Sequence, residues 1–388
     1  MQSFVKKIKF FSFCMVLLGG LVWVKAQAAK KEFVPVDYVN PFIGTQGLGN
    51  TFPGAAIPFG LVKLGPDCDD ISSNMGYRHD GRVKGFSHLH ESGTGVICED
   101  LCIADPTIFR DTDGTYYLYG TSPDSNKGFE VYRSGDLETW EGPVGALASG
   151  FVLTPQTSWG TKGFWAPQVF LHDGKYYMVY TANEQLAVAT ADSPCGPFVQ
   201  ADKQMMPAAM KQIDPFVFFD TDGKAYLYHV RLTEGNRIFV AELNPDLKSV
   251  KEETARECVH AESGWEDTWN AEWSVTEGPT VIRQGNTYYL FYSANDFRNP
   301  DYAVGYATAS SPLGPWTKQG VLISRNNMGM NGTGHGDLFR TDDGSWQYVL
   351  HVHHSAGQPT PRHTAIVTLH EKDGQFVAEP STLRMLRK

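Results

Sequence analysis

Asp113-Gly114-Thr115-Tyr116-Tyr117 is a tight turn feeding an aromatic strand, and its pattern returns four more times in the 388-residue chain. The echoes are Asp173-Gly174-Lys175-Tyr176-Tyr177, Asp222-Gly223-Lys224-Ala225-Tyr226, Gln284-Gly285-Asn286-Thr287-Tyr288-Tyr289 and Asp343-Gly344-Ser345-Trp346, with glycines 60, 49, 62 and 59 residues apart. Asp-Gly between apolar runs is the strongest short-range hairpin signal, because glycine supplies the positive φ that a two-residue turn needs. A second echo keeps the same period: Ser193-Pro194-Cys195-Gly196-Pro197-Phe198 and Ser311-Pro312-Leu313-Gly314-Pro315-Trp316 stand two repeats apart. Nothing in this region carries a helical period. Five strand-and-turn units predict an all-β fold, a five-bladed β-propeller over residues 99–388, in which radial repetition leaves few long exposed edges.

Residues before the repeat read differently. From residue 36 to about 98 the chain is rich in Gly and Pro with short apolar runs, as in Val39-Asn40-Pro41-Phe42-Ile43-Gly44-Thr45, and about 60 such residues make a marginal core of their own. Further upstream, Lys6, Lys7 and Lys9 precede an apolar run from Phe10 to Val24 and the small-residue exit Ala26-Gln27-Ala28. This is a signal-peptide pattern, and the run falls short of the ~20 residues that span a bilayer. The expectation is therefore a signal peptide over 1–28, a secreted or periplasmic mature chain with no membrane anchor, and a small irregular β appendage over 29–98.

Composition excludes several classes. With 41% hydrophobic and 20% charged residues the chain can bury a large core, and a formal charge of −10 argues against a nucleic-acid partner. Cys68, Cys98, Cys102, Cys195 and Cys258 lack the paired spacing of a zinc site and read as isolated thiols, Cys98 and Cys102 being close enough in sequence to invite a bridge.

Counting backwards from each hairpin turn reaches the start of the strand that feeds it. Asp105, Asp214 and His335 lie eight residues before Asp113, Asp222 and Asp343, and Glu277 lies seven before Gln284. In the second unit the matching place is Ala166, after Trp165. The innermost strands of a propeller crowd its axis, so this register converges three carboxylates and one imidazole at one mouth. Such a cluster is expensive without a task or a cation. Paired carboxylates cleave glycosidic bonds, one protonating the leaving oxygen while the other deprotonates water or attacks carbon, and a third can tune the acid. Trp159, Trp165, Trp265, Trp269 and Trp273 lie within or just before these strands, where an indole can stack on a sugar or simply pack.

Ala104-Asp105-Pro106-Thr107-Ile108, Trp165-Ala166-Pro167, Ile213-Asp214-Pro215, Thr276-Glu277-Gly278-Pro279 and Gly334-His335-Gly336 together resemble the five-bladed propellers of glycoside hydrolase family 43. The resemblance implies an inverting hydrolase of arabinose- or xylose-containing glycans, an α-L-arabinofuranosidase or β-xylosidase. By it Asp105 would be the general base, Glu277 the general acid and Asp214 the acid that tunes pKa and orients. Trp165, Trp273 and Arg362 would bind substrate. No cofactor is needed for the chemistry, while a structural calcium on the axis would take His335 as ligand. The alternatives are a galactan or galactofuranose hydrolase on the same scaffold, and a propeller that binds carbohydrate without turnover. The segment before it, from Val39 to Pro66 and then Gly76-Tyr77-Arg78-His79-Asp80 through Gly85-Phe86-Ser87-His88-Leu89-His90-Glu91, resembles the start of family 92 α-mannosidases. It stops near residue 98, far short of that family's catalytic acids, which implies a truncated fragment without mannosidase activity.

Overall fold

Each of the five repeated turns joins two antiparallel strands in the computed structural model, which describes residues 100–262 and 264–388 and, upstream, three strands, Ala55–Ala56, Lys63–Cys68 and Val83–Ser87. The chain divides into two compact units at Val96 and Ile97. In the first, the three upstream strands pair antiparallel in chain order. The expected signal peptide and most of the expected appendage lie outside the described residues. No helix among the described residues is long and apolar enough to cross a membrane.

The second unit is a five-bladed propeller. Its first blade pairs Ala104–Arg110, Tyr116–Thr121 and Tyr132–Ser134, and its second Trp165–His172, Lys175–Ala182 and Gln185–Ala191. The third runs Gln212–Phe219, Ala225–Leu232, Asn236–Glu242, Arg256–Val259; the fourth Thr276–Gln284, Thr287–Ala294, Ala303–Ala309, Thr317–Ile323; the fifth Gly334–Arg340, Trp346–Val352, His363–Lys372, Gln375–Met385. The first strands of successive blades touch in a closed ring, fifth against first included, and so line the axis. All five hairpin glycines have positive φ, from 58° at Gly285 to 90° at Gly114, as the turns require.

Aromatic side chains fill the wedges between blades. Phe129, Phe164 and Tyr180 pack in one, and Phe291, Tyr306 and Phe376 in another, with edge-to-face and stacked contacts 5.1 to 6.3 Å between centroids. The Ser-Pro-x-Gly-Pro echo has a matching role in both copies. Tyr119 Oη donates to the Pro194 carbonyl and Tyr228 Oη to that of Pro312, each at 2.6 Å, which satisfies two buried phenols and ties neighbouring blades together. The ring closes through backbone bonds from Leu101 N to Leu386 O (2.8 Å) and from Trp140 N to Arg387 O (3.2 Å). Cys195 and Cys258 carry no disulfide.

Candidate active site

At the head of each innermost strand the ladder slips by one residue, between Ala104 and Thr107, Ile213 and Phe216, Glu277 and Thr280, Gly334 and Gly336, and opposite Val179 and Thr181 in blade two. The slipped residue has positive φ in every blade: Asp105 (47°), Ala166 (42°), Asp214 (56°), Gly278 (60°) and His335 (40°). For a residue other than glycine this conformation costs about 1 kcal/mol or more, so the surroundings must hold it. The ladder also corrects the expected register. Glu277 pairs across from Ser293 as Ala104 does from Thr121 and Ile213 from Val230, so Glu277 stands one residue before the slipped position, which Gly278 fills. A Cβ at Gly278 would lie 2.8 Å from the His335 ring. The fourth blade's carboxylate therefore enters from a different strand position than Asp105 and Asp214.

Each slipped N–H is accepted by the preceding blade. Ala166 N–H donates to Thr121 Oγ1 (3.0 Å), Asp214 N–H to Thr181 Oγ1 (2.9 Å), His335 N–H to Ser293 Oγ (2.7 Å) and Asp105 N–H to His351 Nδ1 (3.2 Å). The equivalent residue in blade three is Val230, which has no acceptor. There the Gly278 N–H donates instead to Asp214 Oδ2, at 3.2 Å, and so fixes that carboxylate.

Asp105, Trp165, Asp214, Trp273, Glu277, His335 and Arg362 all line one open pocket of about 350 Å³, together with Ile213, Asn236, Val275, Asp296 and Phe297. Trp269 is exposed and stands apart from it, while Trp159 and Trp265 pack against the core.

The carboxylates sit in unlike surroundings. Burial alone would raise the pKa of Asp105, but Arg362, His335 and His351 and the Thr121 hydroxyl together drive it far below the ordinary carboxylate range. Arg362 grips it with both terminal nitrogens, 2.7 Å to Oδ1 and 3.4 Å to Oδ2, while its own guanidinium stacks on Phe297. Thr121 donates to Oδ2 at 2.7 Å. Glu277 is pushed the other way, up to about 7, first by burial and then by the charges of Asp105 and Asp296, against the hydrogen bonds of Tyr302 Oη to Oε1 (2.8 Å) and Asn236 Nδ2 to Oε2 (3.1 Å). Asp214 is raised too, by burial and then by Glu277 and Asp105. Burial, helped by the charge of Arg362, lowers the pKa of both His335 and His351 against the pull of Asp105; His335 Nδ1 lies 3.3 Å from Asp105 and 3.9 Å from Asp214.

Residues 100–376 match the family described as glycosyl hydrolases family 43. The chain belongs to this family, and it is a glycoside hydrolase. It is similar to an endo-1,4-beta-xylanase from Bacteroides thetaiotaomicron, with 40% identity and a TM-score of 0.69 over 75% of this chain and 99% of the other. A xylosidase/arabinosidase of Bacteroides ovatus is 28% identical over 57% of this chain and 78% of its own length. An extracellular exo-alpha-(1->5)-L-arabinofuranosidase of Cellvibrio japonicus is 25% identical over 70% of this chain and 86% of its own length. Residues 38–101 match the glycosyl hydrolase family 92 N-terminal domain.

On this family 43 scaffold an axial calcium at His335 would draw most of its ligands from water. Calcium takes six to eight oxygen ligands. Among the described residues no group of three or more His, Cys, Asp or Glu side chains is arranged to hold a metal, and His335 turns Nδ1 to two carboxylates.

Several side chains at this site escaped the backward count. Thr121, Thr181, Ser293 and His351 are reached by the opposite count, seven residues forward from the hairpin glycine and eight in blade four, which also lands on Val230. Asn236, Tyr302 and Phe297 come from a third strand or a connecting loop, outside the hairpin count.

Proposed function

We propose that this family 43 hydrolase cleaves arabinose- or xylose-containing glycans with inversion, Asp105 acting as general base, Glu277 as general acid and Asp214 as the orienting acid beside it. The supporting observation is the opposite bias of two carboxyl groups in one pocket: Asp105 is held ionised by Arg362, and Glu277 is held protonated by burial. Environments that push two titratable groups apart are what assign an acid and a base at one pH. Asp105 removes a proton from water as the water oxygen attacks the anomeric carbon. Glu277 gives its proton to the glycosidic oxygen as the bond to carbon breaks, and the electron pair stays on the leaving oxygen. Trp165 and Trp273 offer their faces to sugar rings at the pocket wall, as indoles suit.

The substrate class rests on the pentose-directed names of the relatives. A panel of aryl α-L-arabinofuranoside, β-D-xyloside and β-D-galactoside tests it. Turnover of one or both pentosides is expected; turnover of the galactoside alone would reject the class. Export is supported by the lysine-led apolar start and by the extracellular relative, and cleavage after Ala28 is the result expected from N-terminal sequencing of the exported chain. An exported chain still beginning at Met1 would contradict it.

A further inference from the structure

Asn236 opens the third strand of blade three, and its main chain is pinned. Its N–H donates to Ser274 O (2.9 Å), its carbonyl accepts from Thr276 Oγ1 (3.0 Å), and Gly235 before it, at φ 117°, leaves no room for a Cβ, which would stand 2.7 Å from the same Ser274 oxygen. Its side chain then bridges two parts of the pocket. Trp273 Nε1–H donates to Asn236 Oδ1 at 2.8 Å, and Asn236 Nδ2–H donates to Glu277 Oε2 at 3.1 Å.

An amide has one accepting end and one donating end. An indole N–H can only donate, so Trp273 fixes which end faces it and thereby which end faces Glu277. Turned by 180°, Asn236 would present its NH2 to the indole N–H, two donors face to face, and its oxygen to the carboxylate. The indole thus dictates that Glu277 meets an N–H donor. A donor favours the ionised carboxylate over the protonated acid. That is the form Glu277 acquires as its proton passes to the glycosidic oxygen, so the contact strengthens along the reaction.

We propose that Trp273, through Asn236, is a positioning residue for the acid step: its indole N–H locks the amide so that Nδ2–H stabilises the carboxylate forming on Glu277. The inference rests on the reading of Glu277 as general acid. Trp273 then has two separable functions, a face that stacks on sugar and an edge that sets the strength of the acid. Among the described residues no other hydrogen bond holds the Asn236 amide, which makes the coupling specific to the indole nitrogen.

The test is a double-mutant cycle on the full chain, read as the basic limb of the pH profile of kcat/KM, with aryl glycosides of good and poor leaving groups. Trp273→Phe keeps a ring face and removes the N–H. The freed amide can turn its oxygen to the protonated acid, so the basic limb moves up by about half a unit to one unit and kcat falls about tenfold on poor leaving groups but little on good ones. Asn236→Ala moves the limb the same way. In the Asn236→Ala background, Trp273→Phe should shift the limb no further, because the path is already cut. Loss of stacking alone would raise KM and leave the limb in place, and equal shifts in both backgrounds would also overturn the proposal. Glu277→Gln in the same assay separates the two readings. If its loss does not depend on the leaving group, Glu277 is not the acid; if it does while the limb of Trp273→Phe stays fixed, only the coupling fails.

Discussion

Where blade five meets blade one, the axial carboxylate Asp105 faces a guanidinium, two imidazoles and a hydroxyl; where blade three meets blade four, Glu277 faces a phenol and an amide. The two seams are built on the same repeat, with the same slipped strand entry. What differs is the charge of the neighbours. A cation at bonding distance overcomes the burial of Asp105 and keeps it ionised, whereas neutral donors only moderate the burial of Glu277, which stays protonated towards pH 7. A near-symmetric scaffold thus biases two carboxyl groups in opposite directions because symmetry is broken among the side chains behind them: His351 stands where three other blades place Thr, Thr and Ser, and Val230 supplies nothing.

Removing each carboxylate's proton chemistry should break the comparison most sharply. Asp105→Asn should lose about 10³-fold or more in kcat on good and poor leaving groups alike, since water must be deprotonated in both cases. Glu277→Gln should lose about 10²-fold on poor leaving groups and much less on activated aryl glycosides. Equal losses for Glu277→Gln on both would place the acid elsewhere. Glu277 also carries a stability signature. Its folded pKa lies above that of an exposed glutamate, about 4.3, so the stability from its protonated form is full below that pH and is lost as pH rises through about 7. Glu277→Gln cannot ionise and should melt a few degrees higher than the unaltered protein at pH 8, with no gain at pH 4.

Stripping the cation from the Asp105 seam is the next largest change. Arg362→Met leaves a buried carboxylate without its guanidinium, and unfolding at pH 7 should cost about 3 kcal/mol less. Because the folded pKa of Asp105 is depressed, the stability it contributes is present above about pH 3.9 and fades as pH falls below it, so the difference between the two proteins should shrink in denaturant titrations at pH 3. The acid limb of kcat/KM should move up. A deficit that persists unchanged at pH 3 would mean that Arg362 acts by packing on Phe297 and not by charge.

The smallest effect is expected from Val230→Thr, which gives blade three the hydroxyl its neighbours have. If Thr at this position accepts the Gly278 N–H, Asp214 loses a donor that favours its ionised form and becomes more firmly protonated. Glu277 then has a less charged neighbour, and the basic limb should fall by less than half a unit, with stability changed by about 1 kcal/mol or less. An unmoved limb would show that Asp214 keeps the Gly278 N–H.

These seams were legible in the sequence to unequal degrees, and the reasons are physical. Hairpin glycines demand positive φ and therefore stand out, and from them Asp105, Asp214 and His335 fall into register by counting. The same count reaches Glu277 but places it one position late, because at its seam a glycine takes the left-handed residue and the carboxylate moves to the preceding pair of the ladder. Arg362 came only from the family resemblance, since the loop before His363–Lys372 has no period to betray it. Asn236 and Tyr302 carry no signal in the repeat at all: they matter through single contacts to one carboxylate, and contacts made across blades leave no local pattern in the chain.

The claim that Asp105 is a base and not a nucleophile is tested most directly by proton NMR of the sugar first released from an aryl pentoside, recorded before mutarotation scrambles it. Attack by water activated at Asp105 predicts the anomer opposite to the substrate, α-xylose from a β-xyloside or the β-arabinofuranose from an α-arabinofuranoside. First release of the same anomer as the substrate would mean that a carboxylate in this pocket had bonded to the sugar, and the assignment of Asp105 would fall.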